Sequence, residues 1–259
     1  MSKEKAVRYY QSFTQDFVES KNQNYTLPED YQWIRTDFRS RFRSAAIYGL
    51  AIAFSAVYCR LCLHVRFVNR KILKNTRKTG AVVYSNHTQP VGDVFDPALA
   101  CFPNRIYTLV SPANLGIPFL GKILPYLGAL PLAGTLSGMK ELNKAVALRL
   151  AQKKCVVIYP EAHVWEYYTE IRPFPSSSFK FPVKCQTPAY AMTVTYQKRR
   201  LGKKPKAVIY LDGPFYPDAA LPPKAAEKRL CDAVFACMKE RSRNSNCQYI
   251  RYEKADEIK

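Results

Sequence analysis

The chain has 259 residues, enough for a sizeable core in one or two domains. Lys and Arg outnumber Asp and Glu by 40 to 20, a formal charge of +20 with a pI of about 9.7, and this excess points to a polyanionic partner (nucleic acid, an anionic membrane or an acidic soluble substrate) or, more blandly, to a solvated basic surface. The eight cysteines sit mostly inside apolar runs such as Cys155-Val156-Val157-Ile158, which excludes a disulfide framework in favour of reduced core thiols in a cytosol-facing protein.

Residues 1–30 are polar, and no short apolar run near Met1 marks a secretory signal. Tyr9, Tyr10, Phe13 and Phe17 stand at near-helical spacing and predict an amphipathic helix ending before the Asn22–Asn24 region and Pro28. Its aromatic side reads first as core and second as a membrane-interface face. Next, Arg35, Arg39, Arg41 and Arg43 precede an uncharged run from Ser44 to Cys59, shorter than the roughly 20 residues of a spanning helix. Arg60 interrupts its extension, and Arg66, Arg70, Lys71, Lys74, Arg77 and Lys78 follow. With cations at both ends, the charge asymmetry of a spanning helix is missing. Residues 36–64 therefore read as a monotopic helix dipping into one leaflet, ahead of a buried core helix. Cys59-Arg60-Leu61-Cys62 is a lone pair of cysteines with no second pair to complete a zinc site.

From Gly80 short apolar, β-rich runs alternate with helical stretches. Strands are expected at 81–85, 106–111, 129–132, 155–159, 189–196 and 207–211, and helices near 96–101, 118–124, 138–152 and 223–241. The alternation predicts an α/β fold, a mostly parallel central sheet covered by helices. An N-terminal membrane-associating helical segment is expected over 1–79 and the α/β domain over 80–259. Residues 173–181 read as an irregular loop. The apolar stretch 114–128, punctuated by Gly and Pro, cannot be one long helix and serves either an acyl-chain groove or the core.

Three histidines are present: His64, His87 and His163. His87 stands out because the apolar run Val82-Val83-Tyr84-Ser85 stops at Asn86 and delivers it to a strand end, with Asp93 six residues on. Imidazole accepts a proton near neutral pH, and a carboxylate on its other nitrogen fixes the tautomer and stabilises the imidazolium. Asp96 is a rival for the carboxylate. No Gly-x-Ser-x-Gly elbow is present, so direct base catalysis by His87 is favoured over a covalent acyl-enzyme. A second strand, 156–159, runs into Pro160-Glu161. If it lies parallel to the first, Glu161 shares the crevice of His87.

These blocks together resemble the glycerolipid acyltransferase family, the PlsC-like enzymes of the 1-acylglycerol-3-phosphate acyltransferase type. Asn86-His87 with Asp93 looks like the first block, Gly138-Met139-Lys140-Glu141 sits where the second belongs, Tyr159-Pro160-Glu161-Ala162 looks like the third, and 187–192 like the fourth. Three departures stand out. Five residues separate His87 from Asp93 where the family has four, with a bulge at Pro90–Gly92 expected to absorb the extra one. Lys140 stands near the missing second-block arginine, and Ala162-His163 replaces Gly-Thr.

The resemblance implies O-acyl transfer from acyl-CoA or an acyl carrier protein thioester to a lysophospholipid or related hydroxyl, without a cofactor or metal. His87 is then the base and Asp93 its orienter. Asn86, Gly138, Lys140, Pro160 and Glu161 bind substrate, with the Gly138 N–H facing a phosphate or oxyanion. The expected location is the cytoplasmic face of the cell membrane, peripheral or monotopic, on an anionic surface. One rival is a non-catalytic lipid-binding protein on the same scaffold. Another is nucleic-acid binding through Lys198, Arg199, Arg200, Lys203, Lys204 and Lys206, which no nucleic-acid motif accompanies and which is not expected.

Overall fold

The computed structural model describes residues 6–18, 24–89, 91–200, 202 and 204–255. In chain order the elements are β1 (Ala6–Tyr10), α1 (Phe38–Leu61), β2 (Arg66–Val68), α2 (Thr76–Thr79), β3 (Ala81–Ser85), α3 (Gly92–Cys101), β4 (Ile106–Val110), α4 (Leu120–Leu127), β5 (Ala129–Pro131), α5 (Leu136–Ala151), β6 (Cys155–Ile158), α6 (Lys180–Cys185), β7 (Ala189–Gln197), β8 (Lys206–Phe215), α7 (Pro223–Ser242) and β9 (Ile250–Lys254). Seven strands form the central sheet in the order β2-β8-β7-β3-β6-β4-β5. Every pairing in it is parallel except β7 with β8. The mixed α/β architecture with a mostly parallel sheet is the one the sequence predicts.

The central strands β3 and β6 are apolar without interruption because both faces are covered. Side chains alternate between faces. Val82, Tyr84, Val156 and Ile158 join one core with residues of α5, α6 and α7, whereas Ala81, Val83, Cys155 and Val157 join another with residues of α3. Tyr48 and Ile52 of α1 pack against this second core.

Among the described residues of 1–79, two strands pair with the rest of the chain. β2 forms an edge of the central sheet, and β1 pairs in parallel with β9 from the other end of the chain. The expected N-terminal amphipathic helix is absent from the described residues: 6–10 are a strand and 11–18 are irregular, while 19–23, including Asn22, lie outside the described residues. Tyr10, Phe13 and Phe17 pack around Trp165 instead, at ring separations of 4.8, 6.1 and 5.2 Å. Their near-helical spacing reflects one shared packing partner.

Helix α1 has 24 residues, more than the uncharged run, because the arginine-rich turns continue it and Asp37 caps the Ser40 N–H at 2.7 Å. Its inward stripe is Ser44, Tyr48, Ser55 and Cys59. Ser44 donates to the Tyr126 carbonyl at 2.7 Å, the Tyr48 hydroxyl accepts the Ile106 N–H at 3.1 Å, and Ser55 and Cys59 are buried. Its outward stripe, Phe42, Leu50, Phe54, Val57 and Leu61, is 57–73% exposed. Among the described residues this is the one helix long and apolar enough to cross a membrane. Stretch 114–128 is broken as expected, with a 3-10 turn at Pro112–Gly116 before α4. Loop 173–181 is more regular than expected, since a 3-10 turn at Ser176–Phe179 leads into α6.

Candidate active site

The site begins where β3 ends. The buried Asn86 side chain pairs with the β7 backbone, donating to the Val194 carbonyl at 3.0 Å and accepting the Val194 N–H at 2.8 Å. It continues the β3–β7 ladder beyond Ser85 and so fixes where the chain turns. With a donor and an acceptor of its amide paired to β7, Asn86, expected to contact substrate, fastens the turn.

His87 follows. Its Nδ1 lies 2.7 Å from Asp93 Oδ2, and its side chain keeps 21% of its surface in solvent. The same carboxylate oxygen accepts the Gln89 N–H at 3.0 Å. The imidazole stacks on Tyr159 with ring centres 4.3 Å apart, and the Tyr159 hydroxyl donates to the Asp93 carbonyl at 2.6 Å. Donation of Nδ1–H to Asp93 leaves the lone pair on Nε2. Burial pushes the Asp93 carboxyl above the usual range, and the hydrogen bond to His87 opposes that shift.

Pro90, where a bulge was expected, is outside the described residues. Gly92 opens α3, and a Cβ there would stand 2.0 Å from Gln89 Oε1 and 2.9 Å from Asp96 Oδ2, so both side chains would have to move aside. Asp93 sits in the first helical turn. Asp96 lies deeper, with no hydrogen bond to the imidazole. Burial, and then the charge of Asp93, push its carboxyl up to about 8.

Because β3 and β6 are parallel, Glu161 leaves the sheet on the same edge as His87. It does not face the crevice. Its Oε2 accepts the His87 N–H at 3.1 Å and an Arg172 guanidinium N–H at 3.0 Å, and its Oε1 accepts the Arg172 backbone N–H at 3.0 Å. Both side chains of this ion pair are at most 1% exposed. Burial raises the Glu161 carboxyl, and Arg172 counters it. Pro160 is likewise buried. Pro160 and Glu161, expected to bind the acceptor, thus lie buried beneath the turn that carries His87. The loop beyond it returns to the same turn, where the Trp165 N–H donates to the His87 carbonyl at 3.0 Å and the Tyr167 N–H to the Thr88 carbonyl at 2.9 Å. Ala162, where the family has glycine, adopts a left-handed φ of +65°.

The second block behaves differently. The Gly138 N–H, expected to face a ligand, donates to the Thr135 side chain at 3.1 Å and caps α5. A Cβ on Gly138 would lie 2.8 Å from the Ala133 side chain and 3.3 Å from Trp33, so this glycine serves packing. Lys140 is exposed on α5. α5 starts just past the C-terminal end of β5, on the same sheet edge as His87 but three strands away, about 14 Å across the sheet.

Sequence reasoning missed Arg172, Tyr159 as a stacking partner, and Gln89. Arg172 had one signal, a cation beside Ile171 ahead of the Pro- and Phe-rich stretch 173–181. Among the described residues no group of three or more His, Cys, Asp or Glu is placed to hold a metal ion.

The profile of the acyltransferase family matches residues 64–195, which span His87, Asp93, Glu161 and Arg172. In fold the chain is similar to the 1-acyl-sn-glycerophosphate (LPA) acyltransferase PlsC from Thermotoga maritima. The TM-score is 0.56 at 14% identity, over 83% of this chain and 87% of that one. No curated protein matches the sequence.

Proposed function

The chain belongs to the acyltransferase family, and from that premise we propose that it is a membrane-associated O-acyltransferase that moves a fatty acyl group from an acyl thioester to a lysophospholipid hydroxyl. The observation that carries this reading is the 2.7 Å contact of His87 Nδ1 with Asp93 beneath a partly exposed imidazole at the sheet edge.

Nε2 of His87 takes the acceptor hydroxyl proton as its oxygen attacks the thioester carbonyl carbon. The new C–O bond forms, the tetrahedral centre collapses, and the C–S bond breaks to release the thiolate. The imidazolium then returns its proton to sulfur or solvent. Asp93 holds the tautomer at the start and balances the charge that His87 gains. Base catalysis of this kind contributes about 10²- to 10⁴-fold. The donor is acyl-CoA or an acyl carrier protein thioester, both anionic and suited to a chain of charge +20. Lys140, three strands from His87 on the same sheet edge, attracts anionic head groups as a point charge without the bidentate fork of arginine. Helix α1 lies in one leaflet on the cytoplasmic face, outward stripe in the acyl region, with its flanking arginines on anionic head groups. Likeness in fold to a 1-acyl-sn-glycerophosphate acyltransferase supports the acceptor class.

The test is thiol release from acyl-CoA and acyl carrier protein thioesters, against a panel of lysophospholipids in vesicles. Release that depends on an acceptor is expected. No release with any donor–acceptor pair contradicts the proposal and leaves a non-catalytic lipid-binding protein.

A further inference from the structure

Residues 6–18 and 250–254 lie outside the family match, yet they are built onto the catalytic turn. β1 pairs with β9 in register from Ala6 with Ile250 to Tyr10 with Lys254. This ribbon is tied to the loop after Glu161 by the Arg8–Glu166 ion pair and by the Tyr252 hydroxyl, which donates to the Glu166 carbonyl at 3.0 Å. Tyr10, Phe17 and Tyr252 pack on Trp165, which is fully buried, and the Trp165 indole N–H donates to the Gln15 carbonyl at 2.8 Å.

The strap also reaches His87 through a polar route. The Phe13 carbonyl accepts from the Arg172 guanidinium at 3.2 Å. Arg172 lies over Trp165 at 4.8 Å, donates to the His163 carbonyl, and pairs with Glu161, whose free lone pairs hold the His87 N–H. The buried guanidinium already leaves its Nε–H without a partner, so it depends on the acceptors its terminal nitrogens do find, and a strap carbonyl is one of these. Loosening the strap leaves that donor unmet, and Glu161 and loop 163–168 then shift under His87. A misplacement near 1 Å at a reacting group costs about 10²-fold in rate.

We propose that residues 6–18 form a strap that positions His87 for catalysis, acting through Arg172, Glu161 and the Trp165 loop, with Arg172 and Arg8 as positioning residues. The proposal rests on the reading of His87 as the base.

The experiment uses the full chain and measures kcat and KM for both substrates, each variant being assayed well below its own melting midpoint. Arg8→Glu places like charges against Glu166 and loosens the strap. A kcat about tenfold lower with KM nearly unchanged is expected, and Glu166→Arg in the same chain restores it. Arg172→Lys lowers kcat further and also spares KM. Arg241→Ala, which breaks an ion pair with Asp212 elsewhere in the fold, lowers stability without changing kcat. If Arg172→Lys does not fold, the Arg8–Glu166 charge swap decides alone. A kcat for Arg8→Glu within twofold of the unaltered protein, or a loss that the swap does not restore, overturns the proposal. Turnover retained by His87→Ala in the same assays overturns the base assignment itself, whatever the strap variants do.

Discussion

Two carboxyl groups sit three residues apart on α3 and have separate parts. Asp93 reaches the imidazole, while Asp96 is buried beneath with its carboxyl pushed up to about 8 by burial and by Asp93. Asp93→Asn keeps the shape but favours the wrong tautomer, so kcat is expected to fall roughly 10²- to 10⁴-fold with little change in the melting midpoint. Asp96 governs stability instead. A carboxyl whose folded pKa is raised stabilises the fold below its unfolded pKa, and the contribution is lost as pH rises through about 8. Denaturant midpoints should therefore fall between pH 4 and pH 8, at up to about 1.4 kcal/mol per pH unit, and Asp96→Asn should flatten that slope. Ala162 carries a left-handed backbone that glycine adopts freely, so Ala162→Gly is expected to stabilise by about 1 kcal/mol in chemical denaturation. At this scale the sequence marked His87 through its strand end but left Asp93 and Asp96 as rivals, since both follow one turn whose path depends on Gly92 packing against Gln89. Glu161 was visible as a charge at a strand end. Its burial was not, because Arg172 is 11 residues away and the shape of the intervening loop is set by an aromatic cluster drawn from both ends of the chain.

Strands β3 and β6 could be read from the sequence because a parallel strand covered on both faces is apolar nearly throughout, and β4 and β7 because apolar residues predominate in them. β1, β2 and β9 could not. Their sequences, AVRYY, RFV and IRYEK, mix charges with aromatics, and β1 pairs with a segment about 240 residues away that no local pattern announces. Helix α1 is visible as an apolar run, and it fills most of the expected span 36–64 because the arginines on its first turns are helical too. Its two stripes set the element-scale expectation. Leu50→Asp on the outward stripe should weaken binding to vesicles about tenfold or more, from the lost burial of one large apolar side chain. Turnover of a water-soluble acceptor should be unaffected, which a vesicle flotation assay run beside the thiol assay resolves.

Across the whole molecule the charge of +20 favours anionic partners. The hairpin cations Lys198, Arg199, Arg200, Lys204 and Lys206 follow β7 or open β8 and so stand on the sheet edge of His87, while Lys203 lies outside the described residues. A membrane role predicts affinity for vesicles containing anionic lipid that falls as salt rises, and stays above the affinity for DNA at matched ionic strength. His87 stands on this same charged edge, with its imidazole partly exposed. The most direct test of that imidazole as the base is acceptor-dependent thiol release by His87→Ala, with folding and vesicle binding shown to match the unaltered protein. The expected result is a loss of at least about 10²-fold with both controls intact, and turnover near the unaltered level would contradict it.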